Sequence, residues 1–198
     1  MRYDNEHKAR TRDRVLQEAA AVLREDGPDR LGVAAVMNRA GLTHGGFYAH
    51  FGSKDELMTE AVSYMFTDRY DAFFADVHTV EPRLALERLI ARYLSMRHRD
   101  ARDRGCPIPI LSGELHRLPE GARLRFVQAV DRLTGGIVTL LERAGVDAAR
   151  SRAISAVAEM VGAIALARTL DDASAAELLI RARTSVEQKL GGTLNGSA

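Results

Sequence analysis

Apolar residues recur at intervals of three and four positions along almost the whole chain, which is the spacing of one face of an α-helix. The stripe formed by Val127, Val130, Leu133, Ile137 and Leu140 is typical. Alternating β-branched runs of the kind that form strands are missing, and the prolines fall between the stripes. The sequence therefore predicts an all-α protein of about nine helices.

Composition narrows the class of protein. The chain has 198 residues, of which 46% are hydrophobic and 28% charged, and this is too apolar for a disordered chain. Its formal net charge is only +1, so binding to nucleic acid would have to depend on a local basic surface. One cysteine excludes an internal disulfide framework. No apolar run approaches the roughly 20 residues of a spanning helix, and the start is too polar for a signal peptide, so we expect a cytoplasmic protein that does not enter a membrane.

The breaks between the stripes divide the chain into two predicted domains and a tail. Three short helices occupy residues 1–52, and a larger bundle occupies residues 53–190, beginning with a long helix that Ser53 caps. Within the bundle, a helix is predicted from Pro82 to about Asp103. Residues 191–198 are small and polar, and we expect this tail to be disordered.

The segment LGVAAVMNRAGLTHGGFYAHFGSKDEL, residues 31–57, carries the functional signal. It predicts two short helices, about Val33–Ala40 and Thr43–Phe51, joined by a tight turn at Gly41. This is the arrangement of a helix-turn-helix. No acidic residue occurs between Leu31 and Lys54, which suits a surface that faces phosphates.

The start of the second short helix is unusual because it contains His44, Gly45 and Gly46, which are poor helix formers. Such residues suit a surface that another backbone approaches closely. A plain αα-hairpin is the alternative, since Phe47 and Phe51, four residues apart, are usually core residues. From periodicity alone, DNA binding and the hairpin stand about even.

The same segment resembles the N-terminal DNA-binding domain of the tetracycline-repressor (TetR/AcrR-type) family of bacterial transcriptional regulators. The family motif is G-x-[ST]-x-x-x-[FL]-Y-x-[HY]-F-x-[SN]-K-x-x-L. The matching residues are Gly41, Thr43, Phe47, Tyr48, His50, Phe51, Ser53, Lys54 and Leu57. The resemblance implies an N-terminal three-helix DNA-binding domain followed by a helical bundle for ligand binding and dimerisation. It also implies a repressor that binds a palindromic operator as a dimer and is released by a small molecule or an electrophile.

Carried over by position, the resemblance predicts the residues that contact DNA. It assigns the recognition surface to Thr43, His44, Gly45, Gly46, Tyr48 and His50, and a phosphate contact to Lys54. Where the family often has a hydroxyl or an arginine in the second helix, this chain has Gly32, Val33 and Ala34, so we expect contacts there to be fewer or shifted to Arg39. The basic residues of the first helix either contact DNA or form a solvated face, and these alternatives are equal; they are Lys8, Arg10, Arg12 and Arg14.

The resemblance further implies a homodimer and a ligand pocket. The last two helices, about Ala148–Leu170 and Ser174–Leu190, carry small residues such as Gly162 and are predicted to form the dimer interface; the alternative is that both are core helices of a monomer. The pocket candidates are Met65, Arg69, Phe73, Tyr93, Met96, Cys106, Ile110, Phe126, Met160 and Ile164, each of which is also compatible with ordinary core packing.

Cys106 has two interpretations. A helix start and the neighbouring Arg102 and Arg104 favour a reactive thiolate that senses electrophiles. The alternative, which we favour, is a small packed side chain, because no second cysteine is present to resolve an oxidised thiol.

We expect no catalytic residues, no metal and no cofactor. No Ser/His/Asp set, glycine-rich phosphate loop or metal-ligand spacing is present, and His98 and His116 are interpreted as surface residues. The alternative function is a small all-α enzyme or carrier in which the N-terminal motif is scaffold. A third possibility is a DNA-binding regulator without a small-molecule ligand.

Overall fold

The computed structural model describes residues 2–74 and 79–190, and within them the chain is helical and contains no strand. The nine α-helices of this part are α1 (Arg2–Glu25), α2 (Val33–Arg39), α3 (Lys54–Phe73), α4 (Pro82–Tyr93), α5 (Met96–Asp100), α6 (Ile108–Leu111), α7 (Glu120–Arg143), α8 (Ala149–Ala167) and α9 (Asp172–Lys189). Short 3₁₀ helices span Pro28–Arg30, His44–Ala49 and Leu115–Arg117. The all-α prediction is confirmed, and the tail 191–198 lies outside the described residues.

Ser53 begins α3, as its sequence position predicts. Its hydroxyl accepts a hydrogen bond from the N–H of Glu56 at 3.0 Å. The carboxylate of Glu56 in turn accepts one from the N–H of Gly52 at 2.7 Å. This reciprocal arrangement satisfies two N–H groups that the helix itself cannot bond, so the start of α3 is fixed by local sequence.

The helix predicted from Pro82 to about Asp103 is shorter than expected. It ends at Tyr93, and a separate short helix, α5, follows. The cause is Ser95, whose hydroxyl accepts a hydrogen bond from the N–H of His98 at 3.2 Å and so caps a new helix. Apolar spacing does not detect this kind of interruption, because the spacing continues across it.

The second short helix of the helix-turn-helix is also different from the prediction. A 3₁₀ helix over His44–Ala49 replaces the α-helix expected over Thr43–Phe51. Thr43 occupies the N-cap position, but its side chain makes no capping hydrogen bond. Two adjacent glycines disfavour an α-helix at this point, and 3₁₀ geometry is common in such short segments.

The described chain forms two compact units. Of the described residues, unit 1 comprises 2–68 and 106–129, and unit 2 comprises 69–74, 79–105 and 130–190. Unit 1 is therefore larger than the predicted domain 1–52, because it includes the first part of α3 and the first turns of α7. That a DNA-binding domain ends at residue 52 and a ligand-binding and dimerisation domain begins at residue 53 stays a prediction.

Unit 1 has a core formed mainly by α1, α2 and α3. Val15, Ala19 and Leu23 give α1 a fully buried stripe. Arg24 is buried beside it and donates a hydrogen bond to the carbonyl oxygen of Met65 in α3 at 3.0 Å. A buried guanidinium that binds a backbone carbonyl fixes α1 against α3, since leaving that charge unbonded would be costly.

Unit 2 contains the pair α8 and α9, which pack through small side chains. Ala156 and Ala163 of α8 are buried, as are Ala175 and Ala182 of α9, so the two helices approach closely. Polar contacts at the end of α9 join the same two helices: Lys189 forms an ion pair with Glu159 at 2.5 Å, and Arg152 donates to the carbonyl oxygen of Lys189 at 2.7 Å.

Candidate nucleic-acid interface

A glycine turn joins α2 to the segment that follows it. Gly41 has φ +68°, a conformation that side chains other than glycine rarely adopt. The N–H of Leu42 then donates to the carbonyl oxygen of Met37 at 2.9 Å, which closes the end of α2. This turn directs residues 43–50, which we call the recognition segment, away from the axis of α2.

The recognition segment has a buried side and an exposed side. Phe47 is 2% exposed and Phe51 is 1% exposed, with their ring centroids 5.7 Å apart, so both are core residues as predicted. Tyr48 is 72% exposed, although its ring packs edge-on against Phe47 at 5.2 Å. Two buried aromatic rings thus anchor the segment to the core, and the segment presents the large aromatic side chain of Tyr48 to solvent.

The other residues of this segment that we predict to contact DNA differ in their exposure to solvent. Thr43, His44 and Gly45 are exposed, whereas Gly46 and His50 are half-buried. Lys54, in the first turn of α3, is exposed. The structure therefore keeps most of the predicted set accessible to a partner.

Nothing inside the chain requires glycine at positions 45 and 46. A Cβ atom on Gly45 would meet no atom within 4 Å. One on Gly46 would lie 3.8 Å from the Met37 side chain and 3.9 Å from the Thr43 hydroxyl, which are ordinary contacts. The N–H of Gly46 donates to the carbonyl oxygen of Thr43 at 3.1 Å, so the backbone that lies open to close approach from outside the molecule is that of the exposed Gly45.

Arg39 is engaged within the protein. Its Nε donates to Glu18 at 2.8 Å, and its Nη2 lies 3.8 Å from Glu25, both on α1. Arg39 would have to leave these carboxylates to reach a phosphate. Its contact with DNA stays a prediction that the geometry does not favour. Charge pattern alone does not reveal ion-pair partners that lie 21 and 14 positions away in the chain.

Arg12 is also committed to the fold. Its guanidinium carbon lies 4.7 Å from the centre of the Phe51 ring, and its Nη1 lies 2.6 Å from Glu60 of α3. The hydrogen bond from Arg12 lowers the pKa of the Glu60 carboxyl, so the pair is ionised near neutral pH. Of the four basic residues of the first helix that were considered as possible DNA contacts, Arg12 therefore has a structural role.

His50 lies where α1 meets the recognition segment. Burial is the main cause that lowers the pKa of its imidazole, followed by the positive charges of Lys8 and Arg12. The ring is therefore neutral near pH 7. A neutral imidazole donates from only one ring nitrogen, so His50 offers DNA a hydrogen bond rather than a charge.

Lys54 also lines a cleft of about 570 Å³ in unit 1. Its other lining residues are Pro28, Asp29, Asp55, Met58, Arg117, Leu118 and Pro119. Arg117 crosses this region in ion pairs with Asp29 at 3.1 Å and Glu114 at 3.0 Å. None of the ten pocket candidates lines the cleft.

The pocket candidates are divided between the two units. Met65 and Phe126 are buried in unit 1, and Cys106 and Ile110 are half-buried there. The members in unit 2 are Tyr93, Met160 and Ile164, which are buried, and Met96, which is half-buried. The side chains of Arg69 and Phe73 lie outside the described part of the structure.

His98 is not the surface residue that we predicted. It is half-buried, its Nδ1 lies 2.7 Å from the carbonyl oxygen of Tyr93, and its ring packs edge-on against the Tyr93 ring at 4.5 Å. The cause is the cap at Ser95, which starts α5 and turns His98 back toward α4. His116 is exposed, as predicted.

The surroundings predicted to activate Cys106 are weaker than expected. The helix after it, α6, is only four residues long, so its dipole is small. Arg104 pairs with Asp103 at 2.9 Å, and Arg102 donates to the carbonyl oxygen of Arg168 at 3.0 Å. Both guanidinium groups thus have other partners, and packing is the favoured interpretation of the half-buried thiol.

Two classes of site were searched for in the described part of the chain. No group of three or more His, Cys, Asp or Glu residues there is arranged to hold a metal ion. No helix there is both long and apolar enough to cross a bilayer.

Comparison with known proteins supports a nucleic-acid role for the N-terminal segment. Residues 15–61 match the sequence profile of bacterial regulatory proteins of the tetR family. The match extends from the middle of α1 to the first half of α3 and includes the whole recognition segment. No curated protein matches the chain significantly.

Solved structures share the fold of the whole chain. A TetR-family transcriptional regulator from Agrobacterium tumefaciens has 24% identity and a TM-score of 0.78, over 91% of this chain and 98% of that one. The reduced form of NemR from E. coli has 18% identity and a TM-score of 0.77, over 90% and 96%. A TetR transcriptional regulator from Legionella pneumophila has 18% identity and a TM-score of 0.75, over 88% and 94%.

Proposed function

We propose that this chain is a DNA-binding transcriptional regulator of the TetR family, and that it binds a palindromic duplex operator as a homodimer, represses transcription there and is released by a small molecule. The observation that carries the proposal is the recognition segment, whose exposed side is free of acids and contains two glycines. Chromosomal DNA as the partner places the protein in the cytoplasm. The alternative of a small all-α enzyme or carrier gains no support from the family profile or the structural neighbours.

The exposed residues suggest a division of roles on the DNA. His44 and Tyr48 are the side chains best placed to reach base edges, because both are exposed. The open backbone at Gly45 suits an N–H contact to a phosphate oxygen. Lys54 adds a positive charge for a neighbouring phosphate. In this arrangement two side chains specify sequence and the remaining contacts fix position.

The proposed dimer rests on apolar side chains that unit 2 leaves exposed. Ile154 and Leu166 of α8 are 52% and 59% exposed, and Ile180 of α9 is 67% exposed. Exposed apolar side chains on two packed neighbouring helices suit burial against a second copy of the same helices. A two-fold dimer would place its recognition segments about 34–36 Å apart, or somewhat more, to reach successive major grooves.

Replacing Lys54 with alanine tests the phosphate contact. A duplex enriched from a random pool by the wild-type protein serves as the probe, and its binding is measured over a range of salt concentrations. We expect Lys54→Ala to lower the magnitude of the salt slope by about 0.9, and to weaken binding to selected and unrelated duplexes alike. Arg83→Ala, which removes an exposed cation from α4, is the control and should leave the slope unchanged. A slope that is the same in Lys54→Ala and wild type would contradict the assignment.

The proposed inducer binds the helical bundle without a covalent bond. A ligand releases DNA only if its affinity differs between the two states of the protein, so release must accompany binding. A metabolite screen for release of the selected duplex tests this. If every compound that binds the bundle leaves DNA binding unchanged, the protein is a regulator without a small-molecule ligand.

Cys106→Ser decides whether the thiol takes part. We expect a quinone to act equally on wild type and Cys106→Ser in the duplex-release assay. The thiol is half-buried, and the two arginines predicted to stabilise its thiolate have other partners. Labelling of the thiol by an electrophile is measured in parallel. Release of wild type alone, with rapid labelling of Cys106, would show that the inducer is an electrophile.

A further inference from the structure

Lys8 lies on the core-facing side of α1. Lys8, Arg12, Val15 and Ala19 follow one another at intervals of four, three and four residues, which is a single face of a helix. Val15 and Ala19 are fully buried, Arg12 is half-buried and Lys8 is exposed. The face of α1 that packs into unit 1 therefore continues past the core at the N-terminal end of the helix.

The contacts of Arg12 show which part of unit 1 lies next to the N-terminal end of this face of α1. Its guanidinium packs over the Phe51 ring and pairs with Glu60, so this turn of α1 is held against the end of the recognition segment. Lys8 lies one turn before Arg12, and His50 directly precedes Phe51. The charge of Lys8 is close enough to contribute to the lowered pKa of His50. The helix face on which Lys8 lies therefore places it beside the recognition segment, and its effect on His50 agrees with that placement.

Two carboxylates of the neighbouring helix α3 have other partners. Glu60 pairs with Arg12, and Glu56 accepts the hydrogen bond from Gly52. In the part of the chain that the structure describes, no carboxylate forms an ion pair with Lys8. Within the described residues, the Lys8 side chain is therefore available to a partner at the edge of the recognition segment.

We propose that Lys8 is a DNA-backbone contact, which α1 holds beside His50 so that its ammonium group binds a phosphate of the half-site contacted by the recognition segment. Arg10 lies two positions further along α1, on the opposite face, and does not take part. The inference rests on the proposed DNA binding, and it decides between the two interpretations of the basic first helix: one of its cations contacts DNA, and Arg12 holds it in place.

The test compares Lys8→Ala with Arg10→Ala, each of which removes one positive charge. The full-length protein and the duplex selected by wild type are used, and affinity is measured by fluorescence anisotropy at several salt concentrations. Lys8→Ala should lower the magnitude of the salt slope by about 0.9 and weaken binding about fivefold at 0.15 M salt. Lys8→Arg should restore both. Arg10→Ala should leave both unchanged, since its side chain faces away.

Two outcomes overturn the inference: an unchanged slope in Lys8→Ala, or an equal loss in Arg10→Ala, which would show a general charge effect. Thermal unfolding of each variant checks the fold, and Lys8 and Arg10 are both exposed. Wild type that binds the selected duplex supports the proposed function whatever Lys8→Ala does. Wild type that enriches no duplex overturns both the function and the inference.

Discussion

Tyr48→Ala is expected to weaken binding to the selected duplex by about 1–3 kcal/mol, or roughly 5- to 150-fold, with little effect on folding. The side chain is 72% exposed, so the protein alone gains little from it. Its contact with Phe47 fixes the direction of the ring, and this lowers the entropy that a base contact would cost. Fluorescence anisotropy with the selected duplex measures the loss, and thermal unfolding measures stability.

Phe47→Ala and Tyr48→Phe are the controls for this result. Phe47 is buried, so its truncation should lower the free energy of unfolding by about 3–5 kcal/mol and reduce DNA binding only through loss of fold. Tyr48→Phe keeps the aromatic ring and removes only the hydroxyl, so it distinguishes a contact made by the ring from one made by the hydroxyl. If Tyr48→Ala binds the selected duplex as tightly as wild type, Tyr48 does not read the operator.

The helices that depend on apolar spacing were predictable from sequence, as was the cap at Ser53, whereas the cap at Ser95 was not. α7 lies between Pro119 and Gly145, because burial of one face determines a long helix, but Val127 of the predicted stripe is 51% exposed and Phe126 is buried instead. The break at Ser95 arises from a single hydroxyl, which competes with the helix and has no periodic signature.

The recognition segment shows a similar limit. The motif predicts which side chains are buried and which are exposed, and Phe47 and Tyr48 agree with it. Its 3₁₀ geometry follows from two glycines whose effect on helix type is not part of the motif. The ion pairs of Arg12 and Arg39 join each of them to a carboxylate far away in the sequence, so charge alone could not show which basic residues the fold itself holds.

Gly162→Arg is expected to leave the protomer folded and to abolish the dimer at micromolar concentration. A Cβ atom at Gly162 would meet no atom within 4 Å, so the protomer has room for a side chain. Gly162 lies in a row with Ile154, Ala158 and Leu166, spaced four residues apart on the outward side of α8. A charged side chain from each protomer in that row would be buried against its own copy, and desolvation and like-charge repulsion would both oppose association. Sedimentation measures the change.

Gly135→Arg makes the same substitution at a matched position. Gly135 also lies inside a long helix, is exposed, and leaves open space around a Cβ atom, so the two variants gain the same charge and similar helix propensity. We expect Gly135→Arg to stay dimeric and to bind the selected duplex as wild type does. The Gly162→Arg monomer binds only one half-site at a time. Its affinity for the palindrome is therefore lower than that of the dimer, which binds both half-sites together. A wild-type monomer at micromolar concentration, or a dimeric Gly162→Arg with wild-type affinity, would show that α8 and α9 are not the interface.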